Sequence, residues 1–393
     1  MPSDFVCPNC GAKATYVFYE TENVPVHTCI MLSTRQDALD FPRGKVVLGF
    51  CNECGFIYNV AFDSSVRSYS SVYEDQQSFS STFNTFAENL AQCLVKKHDL
   101  RNKKILEIGC GKGDFLATLC EIGNNSGVGI DPAYIKDRVH SKASDRLTFI
   151  QDYYSDKYSN YHGDLVCCRH TLEHIPKTFE FVSGVRRAIG NELDTVVFFE
   201  VPDVTRVLRD LAFWDIYYEH CSYFSPASLG RLFRSCQFEI TDLSRDFDSQ
   251  YLLIEAKPVN QKVEKGHPLE ENIKDLATAT KHFSANYGKK VDQWKNRITK
   301  DYNEGRRVVV WGSGSKCVAF LSMLDVGDEI EYIVDINPFR HDRYLPGVGK
   351  KVSSPEILRR DKPDTVIVMN PIYHNEISRM LDDMKVAADV ISV

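Results

Sequence analysis

Lys104-Ile-Leu-Glu-Ile-Gly-Cys-Gly-Lys-Gly-Asp-Phe115 is the stretch that decides the fold. Three alternating glycines follow its short apolar strand and open an amphipathic helix: Gly109, Gly111 and Gly113. Because glycine has no Cβ, such a turn lets the backbone approach a ligand closely. Glu107 precedes the glycines, and Asp131 ends the next strand about 20 residues later, where a carboxylate can bind both hydroxyls of a ribose. An ordinary turn with chance glycines does not account for both acids.

The acid-x-Gly-x-Gly-x-Gly form of this stretch resembles motif I of the class I S-adenosylmethionine (SAM) methyltransferases. Strands and helices alternate over residues 100–257, which predicts an α/β fold with a doubly wound sheet. Ligands of such sheets bind at the carboxyl ends of the strands. Asp152, after the third predicted strand, is expected to accept the adenine amine. After the fourth strand, Arg169 and His170 are expected to contact the cofactor, and His174 lies on the same rim.

Size and composition limit the classes of protein. A chain of 393 residues is long enough for about two to four domains. A formal charge of -7 argues against a large nucleic-acid footprint. The first residues do not form a secretory signal, and no apolar run approaches the roughly 18 residues of a membrane span. Thirteen cysteines, four of them in CxxC pairs, suit reduced thiols and a metal site in the cytoplasm.

Two knuckles of the form Cys-x-x-Cys-Gly identify a metal module in residues 1–75. Their cysteines are Cys7, Cys10, Cys51 and Cys54. Two converging pairs predict a closed, structural zinc site with four thiolate ligands. A redox CxxC normally occurs once, at a helix start, and is disfavoured here. Cys29 lacks the spacing of the knuckles and is predicted to be a buried thiol.

The polar, aromatic-rich residues 69–79, called the entry segment below, precede a helix predicted over residues 81–97. Segments at this place in a methyltransferase often lie across the cofactor as a lid, and Tyr73 is then a cofactor contact. The alternative, that the aromatic side chains only pack, is equally compatible with the sequence.

The second informative cluster is Tyr217-Tyr-Glu-His-Cys-Ser-Tyr-Phe-Ser225. An acid, an imidazole and three phenols so close together are costly to bury without partners, which indicates a cleft. His220 can act as a base near neutral pH, with Glu219 or a phenol orienting it. A helix cap beside an aromatic core is the alternative.

Along nearly its whole length the chain resembles the three-part sugar C-methyltransferases, which have a zinc module, a SAM domain and a second Rossmann-like domain. Residues 217–225 are similar to that family's Tyr-His-Glu-His-Leu-Ser-Tyr-Phe-Ser segment. The resemblance implies that Tyr217, Glu219 and His220 are catalytic, together with His174 of a Leu-x-His-Ile-Pro stretch. Tyr218 replaces the usual histidine, which leaves the base intact and the substrate open.

The carboxyl-terminal part repeats the strand–glycine–helix pattern. A connecting helix is predicted from Pro268 to about Ile298, and residues 301–393 form the second Rossmann-like unit, after a SAM domain over 76–257 and a linker over 258–300. The resemblance implies a nucleotide-sugar site there, with Lys316 beside helix amides that suit a diphosphate. Its predicted residues are Gly312, Gly314, Lys316, Asp335, Asn337, Arg340 and Tyr344.

The sequence thus predicts a methyl transfer from SAM to a carbon beside the ketone of a nucleotide-linked deoxysugar. His220 would be the base, Glu219 would orient it, and Tyr217 and His174 would support the enolate. Alternatives are an O- or N-methyltransferase acting on a sugar or another metabolite, and a non-catalytic module that senses SAM or a nucleotide. A zinc-finger protein that binds nucleic acid is the weakest candidate.

Overall fold

Three β-sheets organise the chain in a computed structural model that describes residues 5–66, 72–261 and 263–393. Residues 69–71 of the entry segment lie outside this description. The first sheet is antiparallel, in the order β1-β2-β3-β9. Its strands are β1 (Thr15–Pro25), β2 (Arg43–Cys51), β3 (Ile57–Asn59) and β9 (Ser222–Tyr223). Since β9 comes from the cluster around His220, the amino-terminal module with the knuckle cysteines and the predicted catalytic segment share one sheet.

The second sheet has seven strands in the order β10-β11-β8-β7-β4-β5-β6. They are β4 (Lys104–Ile108), β5 (Ser126–Ile130), β6 (Leu147–Ile150), β7 (Leu165–Arg169), β8 (Val196–Pro202), β10 (Phe238–Asp246) and β11 (Tyr251–Pro258). Strands β4 to β8 run parallel, and β10 and β11 add an antiparallel edge. The chain order reverses beside β4, where doubly wound sheets bind their ligands.

Helices cover the second sheet because each carries an apolar stripe toward it. They are α2 (Ser81–Lys97), α3 (Asp114–Gly123), α4 (Thr178–Ile189) and α6 (Pro226–Ser235). Helix α5 (Val204–Asp210) packs instead into a core shared by the first and third sheets, and α1 (Arg35–Leu39) lies in the amino-terminal module. Helix α2 has the bounds that the sequence predicted, since Ser80 caps it by accepting a hydrogen bond from the Phe83 amide.

The third sheet is parallel throughout, in the order β14-β13-β12-β15-β16. Its strands are β12 (Val308–Trp311), β13 (Tyr332–Val334), β14 (Val352–Ser353), β15 (Thr365–Val368) and β16 (Asp389–Ser392), with helices α8 (Ser315–Leu324), α9 (Leu358–Asp361) and α10 (His374–Met384). Helix α7 (Ile273–Asn303) connects it to the rest of the chain. This helix starts five residues after the predicted Pro268, because Asn272 is the residue that caps it.

Two shared cores hold the three sheets together. One contains apolar residues of β1 and β2, of α5 and α7, and of the third sheet, among them Phe283 of α7. The other joins the knuckle cysteines and Phe56 to the second sheet. Within the described residues, none of the helices combines the length and the apolar character needed to cross a bilayer.

Candidate active site

The four knuckle cysteines converge beside the end of β2. Their sulfur atoms lie within 4.8 Å of one another, with Cys7 3.6 Å from Cys54 and Cys10 3.7 Å from Cys51. A tetrahedral zinc ion with Zn–S bonds of about 2.3 Å separates its sulfur ligands by about 3.8 Å. The glycine after each pair has left-handed backbone, with φ of 76° and 74°. The residues therefore fit a structural zinc ion.

A cavity of about 260 Å³, the cofactor cavity, lies at the carboxyl ends of β4 and β5. Most of the predicted cofactor residues line it: Glu107, Gly109, Gly111, Asp131, Arg169, His170 and Tyr73. The Asp131 carboxylate accepts hydrogen bonds from the amides of Gly111 at 2.8 Å and Ala133 at 2.6 Å. Burial raises the pKa of Asp131, although these two hydrogen bonds act to lower it. The acid is thus fixed at the rim where the sequence places a ribose.

Two of the motif glycines are required by packing. A Cβ at Gly109 would overlap the Thr171 side chain, and one at Gly113 would lie 2.6 Å from the Phe149 ring. Gly113 is not among the described residues that line the cofactor cavity. It caps α3 with φ of 97°, and its role as a cofactor contact stays a prediction.

Asp152 is bound by neighbouring side chains, and its adenine role stays a prediction. Its carboxylate binds Lys157 and accepts a hydrogen bond from the Tyr158 hydroxyl at 2.6 Å, and these partners lower its pKa to about 2. Among the described residues, the cavity wall at this place is formed instead by Tyr153 and Tyr154.

Glu107 places a buried carboxyl group in the wall of the cofactor cavity. The side chain is 2% exposed, and its Oε2 has no hydrogen-bond partner among the described residues. Burial raises its pKa to about 8, although Arg169 opposes the shift. Arg169 itself is held by Glu200 through two bonds of 3.1 Å. A buried carboxylate of this kind fits SAM, which carries ammonium and sulfonium cations.

A second cavity of about 320 Å³, the acceptor cavity, lies between the second and third sheets. It shares six described lining residues with the cofactor cavity: Tyr73, Asp75, Gln76, Gln77, His170 and His174. Tyr217 and His220 line the acceptor cavity close to this junction. The structure thus places predicted catalytic residues where a methyl group could pass from one cavity to the other.

Glu219 binds the amino-terminal module that contains the knuckle cysteines. Its carboxylate accepts hydrogen bonds from the Thr28 amide at 2.9 Å and from the Thr28 hydroxyl, and lies 3.2 Å from His27 Nδ1. Burial would raise its pKa, but the His27 contact and neighbouring charges lower it, so the carboxylate stays ionised. These bonds hold the Glu219 carboxylate against Thr28 and His27, and its role of orienting the His220 ring stays a prediction. Strand β9 then continues the segment by pairing with β3.

His174 and His220 form an imidazole pair, with ring centroids 4.7 Å apart. His174 Nδ1 lies 3.0 Å from the Glu219 carbonyl oxygen, and because a carbonyl only accepts, Nδ1 carries the proton. Burial and His174 hold the pKa of His220 well below its usual value of 6.5. The centroid of the Tyr217 ring lies 4.2 Å from that of the His220 ring. Burial raises the pKa of the Tyr217 phenol well above 10. At neutral pH the site therefore has a neutral imidazole beside a protonated phenol.

His170 and Glu173 complete the acid–base cluster. His170 has strained left-handed backbone, with φ of 48°. Burial disfavours its charge, but Glu200 and Glu173 outweigh burial and raise its pKa to about 9. Glu173 is 1% exposed, and its two oxygens have no hydrogen-bond partner in the described part of the chain. Its ligand atoms and those of His174 and His220 lie within 4.8 Å of one another.

The predicted nucleotide-sugar residues are only partly available. Gly312, Gly314, Lys316, Asp335, Asn337 and Arg340 line the acceptor cavity. Lys316 Nζ, however, binds the Asp215 carboxylate, and burial lowers its pKa. Tyr344 is not among the described lining residues, because its backbone bridges Leu32 and Lys351. Its place in the pocket stays a prediction.

Four residues that contact predicted site residues or lie among them were not singled out by the sequence: Lys112, His27, Thr28 and Glu173. Lys112 lies inside the glycine turn, and its Nζ donates to the Tyr73 carbonyl at 2.7 Å. Its position between Gly111 and Gly113 was a usable signal. His27 and Thr28 contact Glu219 across more than 190 residues, a separation at which local patterns carry no information.

Comparisons with known proteins match two families. Residues 79–243 match a methyltransferase domain, and residues 253–389 match a C-methyltransferase C-terminal domain. A curated relative, the C-methyltransferase NovU of Streptomyces niveus, is 26% identical over 290 residues, which cover 70% of this chain and 67% of the relative. The matched regions together extend over both Rossmann-like units.

Solved structures also match part of the chain. The 1,6-didemethyltoxoflavin-N1-methyltransferase of Burkholderia thailandensis, with S-adenosylhomocysteine bound, aligns at 16% identity and a TM-score of 0.32, covering 44% of this chain and 79% of its own. The N,N-8-amino-8-demethyl-D-riboflavin dimethyltransferase of Streptomyces davawensis aligns at 15% identity and a TM-score of 0.36, covering 45% and 56%.

Proposed function

We propose that this chain, a SAM-dependent methyltransferase with a class I Rossmann-like fold, methylates a carbon beside the ketone of a nucleotide-linked deoxysugar. The match to a C-methyltransferase C-terminal domain and the relative named as a C-methyltransferase support carbon as the acceptor atom. The sugar and its nucleotide come from the resemblance of residues 217–225 to the sugar C-methyltransferases. The divisions at residues 75, 257 and 300, and a cytoplasmic location, stay predictions.

The observation that carries this proposal is the junction of the two cavities. Tyr73, His170 and His174 line both cavities, and His220 lies beside His174. When bound in the cofactor cavity, SAM supplies an electrophilic methyl group. The protein must then create a carbon nucleophile within reach of the junction, and a well-oriented pair of reactants lowers the barrier by about 7–11 kcal/mol in ideal cases.

We assign proton removal to His220, whose neutral imidazole can accept the proton of the C–H bond next to the ketone. The electron pair of that bond moves toward the ketone oxygen and forms an enolate. The Tyr217 phenol stays protonated and can donate to this oxygen. After transfer, the His220 imidazolium returns its proton to solvent. The backbone carbonyl of Glu219 fixes the tautomer of His174, and His174 lies beside the His220 ring.

A nucleotide diphosphate would lie near Gly312 and Gly314 at the start of α8. Lys316 is the adjacent cation, and it is neutralised by Asp215 in the described structure. Diphosphate binding here therefore requires Lys316 to exchange its carboxylate partner for a phosphate oxygen. An acceptor screen that compares nucleotide-linked sugars with free sugars therefore tests the nucleotide site directly.

The test is a mass-spectrometric screen with SAM and keto-deoxysugars linked to thymidine, guanosine or cytidine diphosphate, with the matching free sugars as controls. We expect one nucleotide-linked ketose to gain the mass of a methylene group while S-adenosylhomocysteine forms in equal amount. Failure of every keto-sugar nucleotide, with SAM binding intact, would overturn the sugar assignment and favour another metabolite or a sensing module.

A further inference from the structure

Residues 73–77 of the entry segment lie between the two cavities. Four of them line the cofactor cavity and the acceptor cavity alike: Tyr73, Asp75, Gln76 and Gln77. In the described structure these residues belong to no helix or strand, apart from the isolated bridge between Tyr73 and Ile30. Their position therefore depends on bonds from the elements on either side.

On the methyltransferase side, the glycine turn holds this segment. Lys112 is 2% exposed, and its Nζ donates to the carbonyls of Tyr73 at 2.7 Å and Ala133 at 2.8 Å. The Gln76 amide donates to Asp114 at 3.0 Å, at the start of α3. The glycine turn that lines the cofactor cavity thus also holds residues 73–77 in place over that cavity.

On the carboxyl-terminal side, the loop after β13 holds the same residues. Asn337 Nδ2 donates to Glu74 Oε1 at 2.9 Å and to the Gln76 carbonyl at 3.3 Å. Arg340 Nη2 donates to the Glu74 carbonyl. Asn337, Arg340 and Glu74 are 3%, 5% and 7% exposed, so these bonds are shielded from water. Buried donors that lose their partners cost more than exposed ones.

The Glu74 carboxylate joins the two sides. Its Oε2 accepts from Arg138 Nη2 at 2.6 Å, while its Oε1 accepts from Asn337. Arg138 also lies over the Phe339 ring, 3.2 Å from its centroid, and donates to Gln76 Oε1 at 2.9 Å. A displacement of the carboxyl-terminal loop must therefore displace the wall of the cofactor cavity.

We propose that Asn337 and Arg340, on the acceptor-side domain, are positioning residues for SAM: they hold residues 73–77 over the cofactor cavity and so determine cofactor affinity. Sequence similarity assigned both residues to the nucleotide-sugar, but their hydrogen bonds go to the segment above SAM. The inference goes beyond the proposed function, since it concerns SAM binding and needs no acceptor. It also predicts that the two cavities are energetically coupled through this segment.

The test measures SAM affinity by titration calorimetry with no acceptor present. Asn337→Asp removes the amide donor and puts a second carboxylate against Glu74, so we expect SAM to bind about tenfold more weakly, which corresponds to about 1.4 kcal/mol. The double variant Glu74→Gln/Asn337→Asp reverses donor and acceptor. It should restore affinity to within about threefold of wild type, a rescue that general damage to the fold does not allow.

Arg343→Ala is the matched control, because Arg343 lies on the same loop and binds the exposed Ser33 of the zinc module. Its SAM affinity should equal that of wild type. Arg340→Lys, which keeps the charge and loses the forked donor, is the second variant if Asn337→Asp does not fold. If the folded variants bind SAM as tightly as the wild type, the inference is overturned. Asn337 and Arg340 are then again predicted to bind the acceptor. An inactive acceptor screen would leave this result unaffected.

Discussion

The buried carboxyl group of Glu107 makes SAM affinity depend on pH. With a pKa of about 8 in the unliganded protein, this group is protonated at neutral pH. A bound cation favours the ionised form, so binding must release a proton below pH 8. If Glu107 is fully ionised in the complex, the dissociation constant falls about tenfold for each pH unit from pH 6 to pH 8 and levels off above it.

Glu107→Gln is the perturbation that isolates this effect. The amide has nearly the same shape and does not titrate, so the variant should bind SAM more weakly at pH 9 and should lose the tenfold fall per pH unit between pH 7 and pH 8. The charged groups that also face Glu107 are Arg169, Asp131 and Asp114, and they remain in the variant. Their contribution therefore cancels in the comparison.

Titration calorimetry at several pH values, in buffers of different ionisation enthalpy, measures both the affinity and the number of protons released. S-adenosylhomocysteine, which lacks the sulfonium charge, shows whether Glu107 responds to the ammonium or to the sulfonium group. The reasoning is refuted if the dissociation constant of the wild type changes by less than about twofold between pH 6 and pH 8.5. A slope that survives unchanged in Glu107→Gln would also refute it.

Three further predictions concern the base, the zinc ion and the glycine turn. His220→Asn should lower turnover by at least about a hundredfold with SAM affinity intact. Because the pKa of His220 lies well below 6.5, the turnover of the wild type should decline on acidification only below that pH. A midpoint of this decline above pH 7 would contradict the assignment. Metal analysis should find about one zinc per chain, and its removal by a chelator should lower turnover because β9 pairs with β3; full activity without zinc would contradict the coupling. Gly113→Ala should lower the free energy of unfolding by more than about 1 kcal/mol, since a Cβ meets Phe149 at positive φ, whereas Gly288→Ala, in open space on α7, should raise it by about 0.5–1 kcal/mol in chemical denaturation; equal effects would refute the packing argument.

Features encoded within a few residues could be predicted from the sequence. Helix α2 begins and ends where its apolar spacing and Ser80 place it. The knuckle cysteines converge as their spacing predicts, although zinc itself stays a prediction. The parallel strands follow the alternation of apolar runs and turns, and Asp131 lies at the rim beside the glycine turn. In each case a short motif or a regular spacing in the sequence carries the information.

Contacts between distant parts of the chain could not be predicted. The sequence places Glu219 beside His220, and only the fold shows that its carboxylate is bound by Thr28, 191 residues away. Asn337 and Glu74 meet across 263 residues. Such pairings depend on how the three sheets pack, which no spacing rule specifies.

The position of the transferred methyl group tests the central claim most directly. Once the screen identifies an acceptor, the reaction is run with SAM carrying a ¹³C-methyl group, and the product is examined by NMR. The account predicts that the label is bonded to a carbon adjacent to the former ketone, with a ¹³C–¹³C coupling to that carbon when the acceptor is also labelled. A label bonded to oxygen or nitrogen would contradict carbon methylation and remove the need for His220 as the base.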